Sequence, residues 1–140
     1  MDICTKSLGL FGGTFDPIHH GHISVARETL KALKLDKVVF IPAGNPYMKT
    51  PSLNVSPAFH RMEMINRALD YENDSNFYVS GIEIGRNGPS HTLETIESFN
   101  LPKDKLVVMI GADILSSFHL WKEPEKIVSK ARVAVITRPG

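Results

Sequence analysis

Five short apolar runs separated by longer amphipathic stretches set the tightest limit on what this chain can become. The runs are residues 6–12, 37–42, 76–84, 105–111 and 132–137. They are short, apolar and set off by Gly, Pro or polar residues, so each reads as a strand. Between them, residues 20–33 carry Ile23, Ala26, Leu30 and Leu33 at helical spacing. Ser56-Pro57 opens a second helix, with serine as N-cap, proline in the first turn, and Phe59, Met62, Ile65 and Leu69 as its apolar face. Residues 90–99 read as a third helix, and 113–130 as a helical stretch broken at Pro124. Strands alternating with helices imply crossover connections and a parallel sheet. Runs that are apolar on both faces belong to a sheet covered on both sides. One doubly wound α/β domain over residues 1–140 is therefore expected, and such sheets bind ligands at the carboxyl ends of their strands.

Charge and cysteine content narrow the function classes. The chain has 16 basic and 15 acidic side chains, a formal net charge of +1. That does not suit a broadly basic nucleic-acid binder, so any anion site must concentrate its potential locally. No run approaches the ~18 apolar residues of a membrane span. The single cysteine, Cys4, makes neither an internal disulfide nor a zinc knuckle. The opening residues MDICTK lack the basic-then-apolar pattern of a signal peptide, and a reducing cytoplasm is expected.

The densest segment is GLFGGTFDPIHHGH, residues 9–22. Gly12 and Gly13 directly after a strand let the backbone approach a ligand closely. His19, His20 and His22, three of the six histidines, fall at the start of the next helix. A helix N-terminus offers unpaired N–H groups and a positive dipole end, which suits a phosphate, and imidazoles add donors there. Two other readings stand beside this one. The glycines form a tight turn and the histidines are solvated caps, or the imidazoles with Asp16 ligate zinc or nickel. The segment is neither a Walker A loop nor GxGxxG.

GGTFDPIHHGH resembles the signature of the HxGH nucleotidyltransferase superfamily, with His19-His20-Gly21-His22 as the HxGH element. Further segments are similar to the bacterial nicotinate-nucleotide adenylyltransferases within it. These are the loop NPYMK ending at Lys49, the segment GPSHT at 88–92 followed by Leu93-Glu94-Thr95, and Gly111-Ala112-Asp113 with Trp121. The resemblance runs collinearly from about Leu8 to Gly140. It implies a Rossmann-like sheet of the HxGH type and transfer of the adenylyl group of ATP, with Mg²⁺, to nicotinate mononucleotide.

By the same resemblance, His19 and His22 serve the ATP phosphates, with Gly12, Gly13 and the Thr14-Phe15 backbone as floor and Lys49 closing over them; His19, His22 and Lys49 are the implied catalytic residues. Ser90, Thr92, Asp113 and Trp121 are implied to hold the mononucleotide. N-capping for Ser90, Thr92 and Asp113, and core packing for Trp121, stay open beside those roles. Arg86, Arg132 and Arg138 are further phosphate contacts or solvated surface. No resident metal site, nucleic acid or membrane is implied.

One family feature is missing. A terminal motif of the Ile-Ser-x-Thr-x-Ile-Arg type has no counterpart up to Arg138-Pro139-Gly140, so the chain is expected to be a C-terminally truncated piece, or a short member with impaired turnover. The fifth apolar run has no following helix, and an uncovered flank favours self-association. Two alternatives keep their place: a relative using phosphopantetheine or glycerol phosphate as acceptor, and a nucleotide-binding module without catalysis.

Overall fold

The computed structural model describes residues 7–44, 56–84, 92–112, 118–121 and 123–137. Their elements follow in order: β1 (Leu8–Gly13), α1 (His20–Ala32), β2 (Lys37–Pro42), α2 (Ala58–Glu72), β3 (Phe77–Val79), α3 (Thr92–Phe99), β4 (Leu106–Gly111), α4 (Pro124–Lys130) and β5 (Arg132–Ile136). The five strands form one sheet in the order β3-β2-β1-β4-β5. All neighbours pair in parallel, with Leu8 opposite both Lys37 and Leu106. This is the expected doubly wound α/β architecture.

Alternation along the central strands splits the core in two. Leu8, Leu10, Val39, Ile41, Leu106 and Val108 face α3 and α4, where Leu93, Ile96 and Ile127 meet them. Val38, Phe40, Val107 and Met109 face the opposite way, onto Ile23, Ala26 and Ile65 of α1 and α2. Full burial of a side chain such as Phe40 or Leu106 contributes about 1.5–3 kcal/mol. Among the described residues, no helix is long and apolar enough to cross a membrane.

Four details differ from the sequence expectation. The third strand covers only Phe77–Val79 rather than 76–84. Beyond Gly81 the chain turns, closed by the Ile84 N–H donating to the Gly81 carbonyl at 3.0 Å. Ser56 is not the N-cap of α2; Pro57 holds that position without a side-chain cap, and the Ser56 main chain is engaged elsewhere. Phe59, expected on the apolar face, is 66% exposed, whereas Arg61 and Ile65 are the buried residues of α2. The break read at Pro124 is present, with α4 starting there, but the described residues before it, Phe118–Leu120, form a 3-10 turn and not α-helix; the missing N–H and fixed φ of proline suit a first turn.

The strand order reverses at β1 and β4. From β1 the chain moves outward to β2 and β3, then returns to β4 on the other side. The loops leaving β1 and β4 therefore diverge, and a crevice opens at their carboxyl ends.

Candidate active site

That crevice is a cleft of about 570 Å³, within the range of small-molecule sites. One wall is the ends of β1 and β4, the floor is Gly12–Phe15, and the start of α1 closes one end. Of the expected site residues, Gly12, Gly13, Thr14, Phe15, His19, His22, Thr92 and Trp121 all line it. His20 does not. Lys49, Ser90 and Asp113 lie outside the described residues.

The α1 N-terminus is built by its own histidines. His19 is the N-cap, in extended backbone at φ −140°. Its Nδ1 accepts the Gly21 N–H at 3.1 Å, and its own N–H donates to His22 Nδ1 at 3.0 Å. The two rings stack with centroids 3.8 Å apart. This reciprocal cap does with imidazoles what a Ser/Glu capping box does with oxygen acceptors. Because each Nδ1 accepts a hydrogen bond, the proton of each neutral ring sits on Nε2, making that nitrogen the donor end. The first turn itself holds no acid, although Asp16 lines the same cleft.

The spacing of the motif follows from this packing. A Cβ on Gly21 would lie 2.9 Å from His19 Cε1, so any other residue would force the first imidazole to shift. Both Nδ1 atoms are taken up by backbone N–H groups, and the described residues hold no group of three His, Cys, Asp or Glu able to bind an ion.

Phe15 fixes the floor. It adopts a left-handed backbone at φ 50°, uncommon for an aromatic residue and held only where packing over-determines it. Its ring is 3% exposed and packs edge-on against Phe11 (5.3 Å), Phe40 (5.7 Å) and His22 (5.0 Å). The side chain therefore anchors the loop where it lines the cleft.

Gly12 is exposed on the floor, and a Cβ there would meet nothing closer than the Ile41 carbonyl at 3.9 Å. Packing does not require a glycine at this position, but the open cleft does. Gly12→Val should therefore fold with a melting temperature within a few degrees of the parent, yet bind ATP at least ~10-fold more weakly by calorimetry. Unchanged affinity would remove Gly12 from the floor.

At the far end, Thr92 is the first residue of α3, and Trp121 packs at 5.1 Å against Phe118 while lining the cleft. Sequence reasoning missed two wall residues here, Glu83 and Thr95. The Thr95 hydroxyl donates to Glu83 Oε2 at 2.8 Å, and Thr95 is 2% exposed. Thr95 stands three residues from Thr92, on the same helix face, and that spacing was the available signal. Glu83 gave none, because it was read as part of a strand. Arg132 sits at the amino end of β5 and donates to the Asp104 carbonyl at 3.1 Å, away from the cleft.

Comparison with known proteins agrees with this geometry. The cytidylyltransferase-like family profile matches residues 10–139. A protein named "probable nicotinate-nucleotide adenylyltransferase" from Clostridium tetani is 41% identical over 137 residues, covering 96% of this chain and 67% of its own length. Its namesake from Roseiflexus is 40% identical over 134 residues, covering 95% and 66%. The chain thus spans about two thirds of the length of these relatives. Among solved structures, one from Vibrio parahaemolyticus assigned to the same enzyme class superposes with a TM-score of 0.73 at 21% identity, covering 96% of this chain and 76% of that one. The Plasmodium falciparum nicotinic acid mononucleotide adenylyltransferase complexed with NaAD gives 0.68 at 17%, with the same coverage. At these identities the superpositions speak for the fold. With residues 10–139 matching the family profile and 41% identity to a relative covered over 67% of its length, the chain belongs to the cytidylyltransferase-like family, in its nicotinate-nucleotide adenylyltransferase branch.

Proposed function

We propose that the chain carries the site for adenylyl transfer from ATP to nicotinate mononucleotide, giving nicotinate adenine dinucleotide and pyrophosphate in the cytoplasm. The observation that carries this reading is the histidine-capped, acid-free start of α1 at one end of the cleft, with the Thr92 and Trp121 wall at the other. The names of the relatives supply the acceptor.

The chemistry asks little covalent work of the protein. A phosphate oxygen of the mononucleotide attacks the α-phosphorus of ATP, the bond from that phosphorus to the bridging oxygen breaks, and pyrophosphate leaves with the electron pair. The nucleophile is already an anion, so no serine, cysteine or general base is needed. Catalysis consists of alignment and neutralisation of developing charge. The Nε2–H groups of His19 and His22 donate to the phosphates, and the α1 N-terminus adds its dipole. Lys49 supplies a cation from the loop after β2. Mg²⁺ enters as part of MgATP, held mainly by the phosphates. Thr92 and the α3 N-terminus offer donors to the nicotinate carboxylate, with Ser90 beside them in sequence, Asp113 orients a ribose, and Trp121 stacks on the pyridine ring.

Pyrophosphate release from MgATP tests the reading, with nicotinate mononucleotide, nicotinamide mononucleotide, phosphopantetheine and glycerol phosphate as acceptors. Turnover with the nicotinate acceptor, at least ~10-fold above every other, is the expected result. Turnover with phosphopantetheine alone would refute it, and ATP binding without turnover would favour a nucleotide-binding module.

A further inference from the structure

Arg61 has no part in the transfer chemistry as derived above, yet it is only 1% exposed. A buried guanidinium is costly unless its donors are met, and here four backbone carbonyls meet them. Nε donates to Ser56 at 2.8 Å, Nη1 to Thr14 at 2.9 Å and to Ala43 at 2.8 Å, and Nη2 to Gly44 at 2.9 Å. The four acceptors belong to three separate stretches at the carboxyl edge of the sheet. Thr14 is on the cleft floor after β1, Ala43 and Gly44 follow β2 on the way to Lys49, and Ser56 precedes α2. Asp16 completes the arrangement, its Oδ2 accepting the Ser56 N–H at 2.8 Å. Burial lowers the Arg61 pKa from its ordinary value, and the charge of Asp16 opposes that shift.

Three separate segments converge on one planar fork, and none of these bonds is needed to close a helix or a strand. A hydrophobic residue would fill the same space between α2 and the sheet without leaving buried donors to satisfy. The Ala43 N–H already donates to the Gly13 carbonyl at 2.8 Å; the fork adds a second tie, from Thr14 on the floor of the cleft to Ala43 and Gly44 and on to Ser56. In-line transfer depends on such distances, since a misplacement of about 1 Å can cost ~10²-fold in rate.

We propose that Arg61 is a positioning residue for the transfer reaction, tying the segments after β1 and β2 to the start of α2 so that the cleft floor and residues 43–44 keep one spacing. The proposal rests on the adenylyl-transfer reading. Lysine cannot replace the fork, because an ammonium is a compact point donor and cannot serve carbonyls on several sides of a plane.

The test compares Arg61→Lys and Arg61→Met with Ile65→Val and Ile65→Ala, which disturb the same helix one turn on, at a fully buried core position. Steady-state kinetics and amide hydrogen exchange are measured on all four and on the parent, well below every melting temperature. Arg61→Lys should lower kcat at least ~10-fold with KM for ATP changed less than ~3-fold, and Arg61→Met should lower kcat further. Both should speed exchange of the amides at 13–16 and 43–44 at least ~10-fold. The Ile65 variants should lose melting temperature but keep kcat within ~2-fold.

If the Arg61 variants lose kcat only in step with melting temperature, as the Ile65 variants would define it, the positioning role is overturned. Unchanged exchange at 13–16 and 43–44 overturns it whatever the activity. A parent that releases no pyrophosphate overturns the transfer reading instead. If Arg61→Met does not fold, Arg61→Lys decides.

Discussion

Replacing His22 by alanine should lower kcat for pyrophosphate release by about 10²–10³-fold, the loss typical of one preorganised donor to a developing oxyanion. That corresponds to about 2.7–4 kcal/mol of transition-state stabilisation. The side chain has two jobs that the geometry separates. Its Nδ1 accepts the His19 N–H at 3.0 Å and caps α1, and the proposed function assigns the phosphates to its Nε2 end. Losing the cap costs about 0.5–2 kcal/mol of stability, which lowers the melting temperature without stopping turnover in the fraction that stays folded. His22→Asn separates the two. The shorter amide can still accept from the cap N–H, so stability should return most of the way, but it does not carry a donor as far as Nε2 does. Turnover should remain within a few-fold of the alanine variant. Recovery of turnover in the asparagine variant would show that His22 acts only as a cap.

Phe15→Ala should be the most destabilising single change in the site, at about 3–5 kcal/mol in chemical denaturation. That is roughly a 10–15 °C loss in melting temperature for a domain of this size. The ring fills the space between Phe11, Phe40 and His22, and a Cβ on Gly13 would already touch it at 3.3 Å. Alanine gives no compensating relief, because the left-handed backbone at φ 50° is as unfavourable for alanine as for phenylalanine. Phe15→Gly would relieve that strain and separates the two contributions. It should be less destabilising than its still smaller side chain suggests. A loss under 1 kcal/mol for Phe15→Ala would mean that the aromatic cluster does not hold the floor.

The sheet and the histidine-capped end of the site were legible in the sequence because local chemistry dictates both. The run at Lys37–Pro42 is apolar throughout and bounded by proline, and its strand has the bounds read from the sequence. His19-His20-Gly21-His22 carries its own explanation, since the cap closes within four residues. Gly12–Phe15 also fell where the pattern put them, on the floor of the cleft.

Long-range contacts were not legible. The apolar pattern of α2 put Phe59 inward and drew no attention to Arg61, whereas Phe59 is exposed and Arg61 is buried. Three of the four carbonyls that stabilise Arg61 lie 47, 18 and 17 residues away along the chain, so no local pattern announces them. Ser56 was read as an N-cap because its identity suits one, but its main chain is claimed by Asp16 and Arg61. Glu83 was hidden for a related reason. Its neighbours Ile82 and Ile84 made the segment look like strand, whereas Gly81 turns it toward the cleft wall.

The claim that the nucleotide phosphates meet the Nε2–H ends of His19 and His22 is tested most directly by nitrogen NMR on protein with ¹⁵N-labelled histidine. In the free protein both rings should be in the Nε2–H tautomer, and adding MgATP should shift the His19 and His22 Nε2 signals while leaving His20, which does not line the cleft, in place. Rings in the Nδ1–H tautomer, or saturating MgATP with no shift at His19 and His22, would contradict it.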